Sequence, residues 1–109
     1  MNFIQKLIAY LRLRTAISQA DKAHAITGNR HYVLPLNDTK PKLIVIDRKA
    51  FRRLRTKGGA NPQARIRNLI QESFYHTPYI YGQGRLTPDQ ALQKRRQYFD
   101  WYEAVLKAK

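Results

Sequence analysis

The chain has 109 residues, with 21 Lys and Arg against 7 Asp and Glu, and so carries a formal charge of +14 at pH 7. This length leaves little room for a second core, and 43% hydrophobic residues suffice to build one, so a single domain over residues 1–109 is expected. Cysteine is absent, which excludes disulfides, thiolate chemistry and Cys-ligated zinc.

Residues 3–26 contain no Gly or Pro and predict a long N-terminal helix. Phe3, Ile4, Leu7, Ile8 and Leu11 form one apolar stripe, and Leu13, Ile17, Ala20 and His24 form another, rotated from the first. Burying both faces calls for a break or a change of neighbour near Leu13, and the first stripe is expected in the core. A membrane surface, a partner helix or a dimer seam are its other possible uses. Gly28-Asn29 offers a C-cap. Lys6, Arg12 and Arg14 interrupt the apolar residues, and the longest apolar run, Leu7 to Leu11, is far too short to span a bilayer. Neither a signal peptide nor a transmembrane segment is expected, and the expected location is cytoplasmic.

His31-Tyr32-Val33-Leu34 and Lys42-Leu43-Ile44-Val45-Ile46 flank a turn-rich connector from Pro35 to Pro41, which is the pattern of a β-hairpin. Asp47 is placed to cap a helix from Arg48 to about Thr56, with Ile46 and Phe51 as its hydrophobic staple and Gly58-Gly59 as its stop. Asn61-Pro62 predicts a new helix start, and Ile66, Leu69, Ile70 and Phe74 continue it as an amphipathic stripe. Residues 75–84 read as an aromatic-rich loop. Thr87, Pro88 and Gln90 then supply N-cap, N1 and capping-box partner for a last helix to about Lys107, burying Ala91, Tyr98, Tyr102 and Val105. The predicted class is α+β, mainly α, in the order α-β-β-α-α-α.

The densest basic stretch runs from Lys42 to Arg67, with Asp47 as its one acid. Arg48, Lys49, Arg52, Arg53 and Arg55 crowd one short helix, and those at its start oppose the helix dipole. Such a helix suits phosphate contacts, and Lys57, Arg65 and Arg67 extend the same footprint. A solvated, solubilising face is the alternative. The spacing also matches a helix-turn-helix, with Gly58 to Ala60 as the turn and Gln63, Arg67 and Asn61 as base readers. Any helical hairpin gives the same pattern. Exposed Tyr79 and Tyr81, with Arg85 close behind, are candidate stacking groups for single-stranded nucleic acid, whereas Phe74 and Tyr75 are expected to pack inward.

Catalysis has little to rest on. His24, His31 and His76 are scattered, no metal-ligand spacing or nucleotide-binding glycine loop occurs, and no cofactor is expected. A ribonuclease without a linear motif would announce itself as a cleft joining His76, a Tyr and an Arg.

The strings Tyr32-Val33-x-Pro35, Leu43-Ile44-Val45-Ile46-Asp47-Arg48 leading into Phe51-Arg52-x-Leu54, and Phe74-Tyr75-x-Thr77-Pro78-Tyr79 span most of the chain. With them the chain resembles small uncharacterised proteins of Bacteroidales gut bacteria and their mobile elements. The resemblance implies a bacterial cytoplasmic setting with a phage or conjugative element nearby, and assigns no functional residue. The leading expectation from charge and pattern is a nucleic-acid-binding accessory protein. The alternative is a protein-interaction module that docks an acidic partner or forms a homodimer through the N-terminal helix.

Overall fold

The computed structural model describes residues 1–36, 39–56 and 65–108. Its elements are α1 (Phe3–Thr27), β1 (His31–Pro35), β2 (Leu43–Asp47), α2 (Arg48–Thr56), α3 (Leu69–Glu72), β3 (Tyr75–His76) and α4 (Pro88–Lys107). The class is α+β, mainly α, as the sequence predicts.

The three strands form an antiparallel sheet in the order β2-β1-β3. Central β1 is buried on both faces, which is why its apolar residues run without alternation. Successive side chains point to opposite sides. Val33 joins Ala9, Leu13, Ala16 and Ala20 of α1, Phe74, and Tyr98 and Tyr102 of α4. Tyr32 and Leu34 join Ile46, Phe51, Ile66 and Leu69 on the other face. The sheet is therefore sandwiched, with the long helices on one side and α2 and α3 on the other.

Local signals hold where the chemistry is local. Gly28 ends α1 in the left-handed region, at φ 76°. The Asp47 carboxylate accepts from the Ala50 N–H at 2.9 Å and so caps α2, while Ile46 and Phe51 are buried in one cluster. Thr87 and Gln90 form the expected capping box on α4. A second capping box, Asn2 with Gln5, opens α1.

Four expectations are corrected. First, α1 is one unbroken helix of 25 residues, and its first stripe is exposed rather than core. At 100° per residue the stripe from Phe3 to Leu11 lies opposite the face of Ala9, Leu13, Ala16 and Ala20. The domain covers only the latter, where alanines let α1 approach closely. Second, no continuous helix runs from residue 62 to residue 74. Its start at Asn61-Pro62 lies outside the described residues, as does the Gly58-Gly59 stop. Ile66 to Asn68 are not helical, and α3 begins only after Asn68, whose side chain accepts from Gln71 N–H. The apparent stripe divides instead, because Ile66 and Leu69 pack on one face of the sheet while Phe74 packs on the other.

Third, Tyr75 and His76 form β3, opposite Val33 and Tyr32 respectively, so the predicted loop begins as a sheet edge. Its anchor is the preceding Phe74, whose N–H donates to the Val33 carbonyl at 2.9 Å. Fourth, Ala91 of α4 is exposed and Lys94 is buried in its stead.

Candidate functional site

Helix α2 turns Ala50, Phe51 and Leu54 towards the core and leaves Arg48, Lys49, Arg52, Arg53 and Arg55 exposed. No acid occupies its first turn, so Arg48 and Lys49 sit where the helix dipole favours anions. An anion held between them would relieve that conflict.

Arg48, Lys49 and Arg52 line a groove of about 650 Å³ whose other wall is Asn29, Arg30, Tyr79 and Ile80. That wall is set by the tight turn ending α1. A Cβ on Gly28 would stand 2.8 Å from the Ile80 side chain, so this glycine permits close packing as well as the positive φ. Among the described residues Asp47 is the one acid in the groove, and its carboxylate is engaged in capping α2.

A second, larger cleft of about 780 Å³ lies between the loop after β3 and the N-terminal half of α4. Arg30 and Tyr79 line both cavities and form the ridge between them. The Arg30 guanidinium lies 3.8 Å from the centre of the Tyr79 ring, a cation–π stack, and its Nη2 donates to the Gly84 carbonyl at 2.9 Å. Only 6% of Arg30 is exposed, and its buried Nε has no hydrogen-bond partner. Gly84 makes this packing possible, since a Cβ there would fall 1.9 Å from Arg30 Nη2.

Lys94 adds a second buried cation to this cleft, at 6% exposure. Its Nζ donates to the Ile70 carbonyl, to the Ser73 carbonyl at 2.8 Å and, more weakly, to the Gln71 carbonyl and the Ser73 hydroxyl at 3.4 and 3.3 Å. These acceptors are backbone carbonyls and a hydroxyl, so the charge is solvated but not neutralised. Burial pushes its pKa down to about 8.

His76 is 4% exposed, and its Nδ1 lies 3.1 Å from the Thr77 carbonyl. That carbonyl can only accept, so Nδ1 carries a proton and Nε2 is the ring's remaining hydrogen-bonding atom. Burial lowers the pKa of His76; the Thr77 bond works the other way, and the charges of Arg30 and Lys94 add to the depression. A His, a Tyr and an Arg do meet in this cleft. A ring so deeply buried, with one nitrogen committed to the backbone, is poorly placed for acid–base work on a substrate.

Of the residues singled out in the sequence, Arg48, Lys49, Arg52 and Tyr79 share the groove and Arg85 lies in the adjoining cleft. Arg53, Arg55, Arg65 and Arg67 are exposed but line neither cavity. Tyr81, 83% exposed, lines neither. Lys57 and Gln63 lie outside the described residues. Arg67 precedes α3 and is not helical, while Gln63 and the expected start of that second helix lie outside the described residues. Arg30 and Lys94 escaped the sequence reading. Lys94 had a signal, standing four residues before Tyr98 on the buried stripe; Arg30 had none.

Among the described residues no three His, Cys, Asp or Glu gather as metal ligands would, and no helix is long and apolar enough to cross a membrane. No family model, no curated protein and no solved structure matches the chain.

Proposed function

We propose that this protein binds nucleic acid along the groove between α2 and the Arg30–Tyr79 ridge. The observation that carries this reading is the convergence of Arg48, Lys49 and Arg52, from one element, with Arg30 and the 43%-exposed Tyr79, from two others, on one groove. Arg48 and Lys49 on the first turn of α2 and Arg52 on the next offer three exposed cations for phosphates, and an aromatic opposite them offers a face for an unpaired base. The charge of +14 extends the attraction beyond the groove. Single strands are favoured over duplex, because the base-facing group is a ring and, among the described residues, no helix runs through Arg67 into α3.

The test is fluorescence anisotropy of labelled single-stranded DNA, RNA and duplex DNA across a salt series. Affinity should fall log-linearly with salt. Removing two contacts with Arg48→Ala and Arg52→Ala should make the slope shallower by about 1.4 on single strands. Lys6→Ala with Lys22→Ala, on the exposed surface of α1, is the control for bulk charge. An equal change in both double variants, or no binding at low salt, refutes the groove.

A further inference from the structure

We propose that the cleft between the loop after β3 and α4 is a phosphate subsite that takes the phosphate of a nucleotide. The source is either the terminal phosphate of a bound strand or a free mononucleotide. The strand-end form rests on the nucleic-acid reading above; the mononucleotide form does not.

The cleft joins four features that favour a phosphate. Arg30, Arg85 and Lys94 line it, and among the described residues no Asp or Glu does. Two of these cations are buried without a carboxylate partner, an arrangement that costs stability unless an anion arrives. Arg30 carries in addition a buried Nε with no hydrogen-bond partner, so its charge is incompletely satisfied and an anion in the cleft would help to offset it. The N-terminus of the 20-residue α4 opens here, with Thr87 and Gln90 in the lining, so the positive end of its dipole points the same way.

Size and lining agree with a nucleotide rather than a bare ion. About 780 Å³ falls within the usual range of small-molecule sites, roughly 300–1,000 Å³. Gln90 and Gln93 supply amide donors and acceptors beside the cations, and Tyr79 supplies a ring. The anchored fork of Arg30 positions the phosphate, exposed Arg85 closes on it, and Lys94 acts through its field because its donors are occupied. Since Arg30 and Tyr79 also bound the α2 groove, the cleft adjoins the path of a strand lying in that groove.

Isothermal titration calorimetry on the full chain at low salt tests this with four probes: adenosine, AMP, and one short single strand with a 5′-hydroxyl or a 5′-phosphate. AMP binding at least about tenfold tighter than adenosine supports a free mononucleotide. A similar gain from the 5′-phosphate, without AMP binding, supports the strand end. Arg85→Ala should abolish either preference, whereas Lys22→Ala should not. If neither AMP nor the 5′-phosphate gains, or if both variants lose equally, the subsite is refuted. Strand binding that stays sensitive to Arg48→Ala with Arg52→Ala would then leave the groove standing. AMP binding without any strand binding would do the reverse.

Discussion

Two glycines of the same loop separate backbone strain from side-chain packing. Gly82 and Gly84 both adopt positive φ, 84° and 73°, where an L-residue pays about 1 kcal/mol or more. A Cβ on Gly82 meets nothing within 4 Å, whereas one on Gly84 collides with Arg30 Nη2. Gly82→Ala should therefore lower the midpoint of chemical denaturation and leave strand affinity close to native. Gly84→Ala should cost more stability, because Arg30 Nη2, the end of a flexible side chain, must also swing aside. That swing gives up the bond to the Gly84 carbonyl and the stack on Tyr79. Anisotropy at low salt should then show a several-fold weaker complex for Gly84→Ala alone, on the order of the 1 kcal/mol that one lost charged contact represents. Equal affinities for the two variants would mean that the Arg30 anchor does not matter to binding.

At the scale of elements, Lys94 is what attaches the four-residue α3 to α4. So short a helix has no stability of its own, and the ammonium gathers carbonyls from its end. The arrangement has a pH signature. The pKa of Lys94 falls from its ordinary 10.5 to about 8 on burial. Between those values the folded state binds fewer protons than the unfolded chain, so this group makes stability rise with pH from about 8 and lowers it below 8. From about pH 7 to pH 9.5 the rise is on the order of 1–2 kcal/mol. Lys94→Met should remove it, so the difference in urea-unfolding free energy between native and variant should grow in favour of native over that range. Staying below pH 10 matters, since burial raises the pKa of both Tyr75 and Tyr98 and their ionisation in the unfolded chain then opposes folding. Parallel curves would show that Lys94 is not buried as described.

The same contact shows what the sequence made legible. Caps, staple and hairpin follow from neighbours in the chain: Asp47 reaches Ala50 and Thr87 reaches Gln90, so a local reading finds them. Helix α3 and strand β3 depend on partners far away. Phe74 donates to Val33, and Lys94 holds Ile70, Gln71 and Ser73, contacts over 21 to 41 positions that no periodicity reveals. The groove was half legible for that reason. Its α2 wall is a charge run visible in the sequence, while Arg30 enters through the turn that follows α1. The two faces of α1 were both visible, but which one the sheet and α4 would cover is a property of the assembled core.

Across the whole molecule the imbalance of charge is sharpened by how the acids are used. Asp21 accepts the Tyr75 hydroxyl at 2.6 Å, Asp47 caps α2, Glu72 accepts the N–H groups of Arg67 and Asn68 at 2.6 and 2.7 Å, and Glu103 pairs with Lys107 at 3.1 Å. Four of the seven carboxylates are thus engaged within the fold, and the excess of +14 is left to repel itself. Salt screens that repulsion, so the melting temperature of the free protein should rise with NaCl between about 20 and 300 mM, where the Debye length shrinks from roughly 20 to 6 Å. A bound strand should raise the melting temperature at low salt as well, by linkage. Its contribution should shrink as salt releases it. The two curves, rising for the free protein and falling for the complex, should converge at high salt. Differential scanning fluorimetry in which the free protein does not respond to NaCl would show that self-repulsion is not a measurable cost of this charge. An additive that raised the midpoint equally at all salt concentrations would not be held by phosphate contacts.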